Sequence, residues 1–269
     1  MRGRVLAIGG SDSGGGAGIQ ADIKSIMALG AYAATAITAL TAQDTRAVDA
    51  VHPVPLGFLR LQIERALDDP GADAIKTGML YDAARIELIC EVLEAKARGV
   101  PLVVDPVLAA SSGRALLEPA AVNVLRQRLL PLAVLITPNV PEAEALTGLR
   151  IADRPAMRAA AEALLALGVP AVLLKGGHMP GKTVVDLLAT RGGIEAMGSP
   201  RIDTRHTHGT GCTLASAITA GLAQAMGLSD AVRRARAYVH AAIAAAPGFG
   251  AGHGPLNHAV TVDPGWWRG

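Results

Sequence analysis

Short, wholly apolar runs alternate with amphipathic stretches along the chain. Residues 5–8 are apolar and end at Gly9-Gly10, the pattern of a strand buried on both faces. A helix is predicted over 19–29, stopped by Gly30. Residues 33–41, small and β-branched, predict a second strand, and 48–54 a third that Pro53 and Pro55 assign to a sheet edge. Helices follow over 56–67, 83–98 and 120–129, separated by strands at 74–80 and 101–106. A strand over 133–139 leads to a short helix at 142–147, then to an alanine-rich helix opened by Asp153 with Pro155 in its first turn and ended by Gly168. Residues 171–175 predict another strand, 183–190 and 196–201 a strand pair, and 213–226 and 230–246 two closing helices before a Gly/His/Pro-rich tail.

This alternation runs without a Pro/Ser-rich linker or an internal repeat. The expectation is one domain over 1–269, doubly wound α/β, with a mostly parallel sheet and helices on both faces. Such sheets carry their sites at the carboxyl ends of the strands, and Asp105, Asn139 and Lys175 each follow an apolar run.

Composition narrows the function classes. A hydrophobic fraction of 51% supports a large core and argues against disorder. With 3% aromatics and a net charge of +2 without a basic run, neither a stacking platform nor an electrostatic footprint for nucleic acid is expected. No apolar run reaches membrane-spanning length and the N-terminus enters a strand at once, so no membrane partner and a cytoplasmic location are expected. The two cysteines, Cys90 and Cys212, form neither a disulfide nor a metal spacing, and Cys90 reads as core. Trp266-Trp267 reads as a terminal packing feature.

The densest chemistry lies in Thr207-His208-Gly209-Thr210-Gly211-Cys212, a glycine-rich turn opening into a helix. Gly209 and Gly211 leave backbone N–H groups and the positive end of the helix dipole open to an anion. Cys212, read as the first helical residue, is expected to have a lowered thiol pKa and to serve as a base. Asp105, Asn139 and Glu142 offer hard oxygens suited to Mg²⁺, and Lys175 is a cation for a phosphate. Charge neutralisation, positioning and removal of a hydroxyl proton are the parts that phosphoryl transfer needs.

Two motifs point elsewhere and are rejected on context. Residues 176–183 match the P-loop pattern, but a β-branched run follows where a helix is required, leaving Lys182 a surface loop residue. Residues 16–21 match a dinucleotide fingerprint, but begin too far after the first strand and lack the acidic residue expected about 20 positions on. His206, His208, His253 and His258 lack ligand spacing and read as turn residues bonded to backbone.

Taken together, SGGGAGIQADIK (Ser13 to Lys24), TALTAQ (Thr38 to Gln43), KTGML (Lys76 to Leu80), VDPV (Val104 to Val107), TPNVPE (Thr137 to Glu142), KGGH (Lys175 to His178) and HTHGTGC (His206 to Cys212) resemble the ribokinase-like superfamily. Within it, the resemblance is to the hydroxymethylpyrimidine/phosphomethylpyrimidine kinases of thiamine biosynthesis. It implies ATP-dependent phosphorylation of 4-amino-5-hydroxymethyl-2-methylpyrimidine and then of its monophosphate, and it suggests a homodimer. Carried over by motif, Gln43, Gly10 and Asp22 would bind the pyrimidine, with Ala17, Met79 and Val107 packed on the ring. Asp105, Asn139 and Glu142 would organise Mg²⁺; Lys175, Thr210 and Gly211 would meet the ATP phosphates. Gly209, Thr210 and Gly211 would form the catalytic cradle and Cys212 the base, where many relatives carry aspartate. The resemblance leaves a pyridoxal or pyridoxine kinase as an alternative, and a silent ligand sensor is a reading from a different class.

Overall fold

Val5 and Ala7 pack on one side of the first strand, Leu6 and Ile8 on the other, and this alternation divides the whole molecule into layers. The computed structural model describes residues 1–109, 113, 116–118 and 120–262; the paired tryptophans at 266 and 267 lie outside them. Among these residues nine strands form one sheet: β1 (Arg4–Asp12), β2 (Tyr32–Gln43), β3 (Val48–Pro53), β4 (Ala74–Thr77), β5 (Leu102–Val104), β6 (Leu135–Ile136), β7 (Ala171–Leu174), β8 (Thr183–Thr190) and β9 (Gly193–Pro200). Their order is β3-β2-β1-β4-β5-β6-β7-β8-β9. Neighbours from β2 through β7 are parallel, while β3 and the β8–β9 pair add antiparallel edges. The mostly parallel sheet and its β3 edge agree with the periodicity.

Among the described residues eight α-helices cover the two faces: α1 (Gly18–Ala28), α2 (Leu56–Asp68), α3 (Ala83–Lys96), α4 (Ala121–Val124), α5 (Val140–Thr147), α6 (Arg154–Leu165), α7 (Thr210–Ala223) and α8 (Leu228–Ala244). Leu59 and Ile63 of α2, Ile86 and Ile89 of α3, and Met157 and Leu164 of α6 pack with Leu6, Ile75, Val104 and Val172. On the opposite face, Leu214 and Ile218 of α7 and Val232 and Ala235 of α8 pack with Val103, Leu135 and Leu173. Ile26 of α1 and Ala220 of α7 close over Val5 and Ala7.

Several boundaries moved for local reasons. The strand expected over 133–139 shrinks to Leu135–Ile136, because Asn139 turns the chain as the N-cap of α5. Residues 120–129 pass from α4 into a π-turn, Leu125–Leu129, and a 3₁₀ turn, Leu130–Leu132, that contains Pro131. The strand β1 continues to Asp12, so Gly16 follows the strand more closely than expected. Residues 176–182 lead into strand β8, not a helix, and Lys182 is exposed, which removes the P-loop reading. The chain runs outward from β1 to β2 on one side and to β4 on the other, so the sheet changes winding direction between β1 and β4, where a crevice opens.

Candidate active site

Every residue singled out for a site lines one cleft of about 970 Å³ along the carboxyl ends of β1, β4, β5, β6 and β7. At its centre Gly209 takes φ 83° and caps α7 with no side-chain hydrogen bond. A Cβ there would fall 1.9 Å from Gly16 O, so only glycine lets the two loops touch. The helix therefore starts at Thr210, and Cys212 is its third residue, not its first. Thr210 Oγ1 donates to Thr207 O at 2.7 Å, which holds the turn.

Gly211 lies against a charged pair. A Cβ on it would be 3.2 Å from Lys175 Nζ and 3.4 Å from Asp105 Oδ2. Lys175 Nζ donates to Asp105 Oδ1 at 3.0 Å and lies 4.0 Å from Glu142 Oε2, while Thr137 Oγ1 donates to the same Asp105 oxygen at 3.0 Å. Burial opposes the charge of Lys175, but Asp105 and Glu142 outweigh it and hold its pKa above the usual value. Burial pushes the Glu142 carboxyl up to about 7, with Lys175 opposing and Asp105 adding.

Asn139 and Glu142 form a capping box. Asn139 Oδ1 accepts from Glu142 N at 2.9 Å, and Glu142 Oε2 accepts from Asn139 N at 2.8 Å. The amide oxygen of Asn139 is thus used in starting α5, where it holds Glu142.

The thiol pKa is not lowered as the helix start alone would have it. Burial pushes Cys212 up to about 11; Lys76 pulls it down, Asp22 and Asp105 push it further up, and a hydrogen bond from Gly18 N–H lowers it. A helix start alone would have lowered it. Desolvation and two nearby carboxylates outweigh Lys76 and the Gly18 N–H.

Asp22, expected to assist Gln43 in binding the pyrimidine, is engaged in a buried ion pair. Its carboxylate has no exposed surface; it accepts from Lys76 Nζ at 2.9 and 3.0 Å and from Ser216 Oγ at 2.7 Å. Lys76 is fully buried within β4, and a Cβ at Gly78 would stand 2.7 Å from its ammonium. This pair forms the floor beneath the cleft. Gly10 backs onto Met79, since a Cβ there would meet Met79 Sδ at 2.7 Å, and Ala17 and Val107 line the same end.

Two further groups escaped the sequence reading. Asp12 Oδ1 accepts from Gly14 N at 2.8 Å, and its Oδ2 accepts from Gly16 N at 3.0 Å and Ala17 N at 2.8 Å. His208 Nε2 lies 2.9 Å from Asp12 Oδ2 and 2.9 Å from Gln43 Nε2. Burial raises the Asp12 carboxyl, but His208 and the backbone N–H donors overcome it and hold it below the usual range. Asp186 Oδ1 accepts from Gly176 N at 2.8 Å and its Oδ2 from Arg236 Nε at 2.8 Å, which fixes the loop after Lys175. The other histidines divide: His253 Nδ1 meets Arg205 O as expected of a turn residue, whereas His258 Nε2 meets the Thr213 hydroxyl at 2.9 Å.

A family model described as phosphomethylpyrimidine kinase matches residues 12–257. The chain is 49% identical over 262 residues to the thiamine biosynthesis bifunctional protein of Geobacter sulfurreducens, covering 97% of this chain and 53% of that protein, about half its length. It is 46% identical over 254 residues to the hydroxymethylpyrimidine/phosphomethylpyrimidine kinase of Streptomyces coelicolor, covering 94% and 93% of the two chains. The solved ADP complex of Bacillus subtilis pyridoxal kinase superposes with a TM-score of 0.91 at 35% identity, over 98% of this chain and all of that one. The family match over 12–257 and a relative of nearly equal length establish that this ribokinase-like chain is a phosphotransferase belonging to the phosphomethylpyrimidine kinase family.

Proposed function

We propose that the chain transfers the γ-phosphoryl group of ATP to the hydroxymethyl oxygen of 4-amino-5-hydroxymethyl-2-methylpyrimidine, and then phosphorylates that monophosphate to the diphosphate for thiamine biosynthesis. The observation that carries this reading is the meeting of Gly211 with the Lys175–Asp105 pair in the cleft that also holds Gln43 and Cys212. Thr210 N–H is used on Thr207 O at 3.2 Å, so the Gly211 N–H in the first turn of α7 is the donor offered to the transferring phosphoryl oxygens, and Lys175 balances their charge. Gln43 binds the pyrimidine edge, and Ala17, Met79 and Val107 bound the ring. Cys212 acts in its thiolate form, the minor one below a pKa of about 11, and takes the hydroxyl proton as that oxygen attacks the γ-phosphorus and ADP leaves.

The donor set suits Mg²⁺. Asp105 and Glu142 bring two carboxylates to the phosphate side of the cleft, and such an ion keeps several waters and takes few protein ligands. Asp105 and Glu142 would hold the ion, which would supply charge neutralisation of the β- and γ-phosphates; Asn139 would fix Glu142. Exposed Phe58 and Leu61 on α2 offer an apolar face to a second copy, in keeping with a homodimer, and the reading places the enzyme in the cytoplasm.

ADP release measured with hydroxymethylpyrimidine, its monophosphate and pyridoxal in parallel tests the assignment. The expected order places both pyrimidines above pyridoxal in kcat/KM. Likeness to the Bacillus subtilis enzyme favours pyridoxal as a second substrate, and a reversed order would make this a vitamin B6 kinase. Absence of substrate-dependent ADP release would leave only a ligand sensor. Cys212→Ala should keep ATP binding while turnover falls by orders of magnitude; wild-type turnover in that variant would remove Cys212 as the base.

A further inference from the structure

One ring nitrogen, His208 Nε2, stands 2.9 Å from both Asp12 Oδ2 and Gln43 Nε2. Asp12 already receives three backbone N–H groups, from Gly14, Gly16 and Ala17, so its carboxylate acts only as an acceptor. His208 Nε2 must then carry its hydrogen and donate to Asp12. A protonated ring nitrogen has no lone pair for the amide NH₂ of Gln43. The two ends of a planar amide have the same shape, so a half turn of the Gln43 amide resolves the conflict: Oε1 shares the His208 N–H and the NH₂ is freed toward the cleft.

The surroundings hold this arrangement in place. His208 and Asp12 are buried, and a Cβ on Gly16 would lie 2.5 Å from His208 Cδ2, so the ring is clamped between the loop after β1 and the turn before α7. His208 N also donates to Gly254 O at 3.2 Å, which anchors its backbone.

We propose that the Asp12–His208 pair is a positioning relay that fixes the amide of Gln43 with its NH₂ facing the cleft, making this position a hydrogen-bond donor that selects acceptor substrates with an unprotonated ring nitrogen. The relay rests on the reading of Gln43 as the pyrimidine contact. A ring edge without a lone pair at that place leaves the NH₂ unpaired and is rejected, because a buried polar group without a partner is costly.

The test is direct binding of hydroxymethylpyrimidine by calorimetry without nucleotide, together with KM and kcat for both substrates. His208→Leu should weaken pyrimidine binding about tenfold, the loss of roughly one buried hydrogen bond, while KM for ATP stays unchanged. His208→Gln, which keeps a donor near the same place, should restore most of the loss. In a Gln43→Ala background, His208→Leu should add no further weakening of pyrimidine binding. Gln43→Glu, which presents only acceptors, should bind more weakly than Gln43→Ala.

Additive losses in the double variant, or Gln43→Glu binding as well as wild type, would overturn the relay while leaving the substrate reading intact. Gln43→Ala with unchanged pyrimidine affinity would instead remove Gln43 from the substrate site. Far-ultraviolet circular dichroism and melting confirm that each variant is folded. If His208→Leu fails to fold, the relay is decided by His208→Gln and the Gln43 variants, which leave the buried ring position filled.

Discussion

Replacing Lys76 by methionine keeps the length of the side chain and removes its charge. The cost can be worked out from the pair it leaves behind. Lys76 and Asp22 have no exposed side-chain surface, and Asp22 would retain only the Ser216 hydroxyl. Breaking a buried ion pair from one side costs about 3–5 kcal/mol, because the remaining charge is uncompensated. The carboxylate has an escape: it can take up a proton. From an ordinary Asp value of about 3.9, neutralising it costs about 5 kcal/mol at pH 7.5 but only about 1.5 kcal/mol at pH 5, at about 1.36 kcal/mol per unit. The penalty is therefore capped by protonation and shrinks in acid. For a chain of this size, about 3–5 kcal/mol corresponds to a fall in Tm of roughly 6–20 °C.

Urea unfolding of wild type, Lys76→Met, and Lys76→Met with Asp22→Asn, each at pH 7.5 and pH 5, measures these terms. The single variant should lose several kcal/mol at pH 7.5 and much less at pH 5. The double variant should regain most of the loss at pH 7.5. A loss below about 1 kcal/mol at pH 7.5, or one that does not change with pH, would refute the reasoning, since an uncompensated buried carboxylate must show both.

The remaining predictions concern the cleft and its supports. With the Cys212 thiol at about 11, kcat/KM for the pyrimidine should climb from pH 6 to pH 9 without levelling, and a plateau set by a group near pH 7 would mean that a different base acts. Alkylation by iodoacetamide should follow the same rise and map to Cys212, because Cys90 is buried and pushed up to about 12. Burial, aided by Lys24, lowers His258 to about 4, so its native ring is neutral while the unfolded chain takes up a proton near pH 6.5. Its contribution is complete above about pH 6.5 and is lost between there and about 4, at no more than about 1.4 kcal/mol per pH unit; His258→Gln should flatten the dependence of urea midpoints over that window. Gly209→Ala should lose about 1–2 kcal/mol from its left-handed backbone alone and more from the clash with Gly16 O, and turnover should fall with melting temperature.

The layered fold was largely legible because two signals agreed along the chain. Apolar runs such as 5–8 and 171–175 had the length of buried strands, and glycines 30, 99 and 168 closed the helices between them. The candidate site was legible where chemistry and local position coincided, as for Lys175 and Asp105, which follow strands and meet in the cleft. The rest depended on distance. Asp12 and His208 lie 196 positions apart, and no local pattern joins them. Lys76 reads as one more polar residue of a glycine-containing run until β4 carries it between α1 and α7 to meet Asp22. Cys212 shows the opposite failure: the helix-start rule applied, but burial beside two carboxylates reversed its outcome.

Gly209 and Gly16 meet backbone to backbone, with no side chain between them. A contact of that kind has no compressible part. The loop after β1 and the turn before α7 therefore behave as one jaw, and a displacement of either by a fraction of an ångström is passed to the other. If the proposed roles of the two loops hold, acceptor choice and catalytic power are mechanically linked in such a jaw. Redesigning the ring-side loop for a bulkier alcohol would misalign the phosphate turn unless both loops were redesigned together.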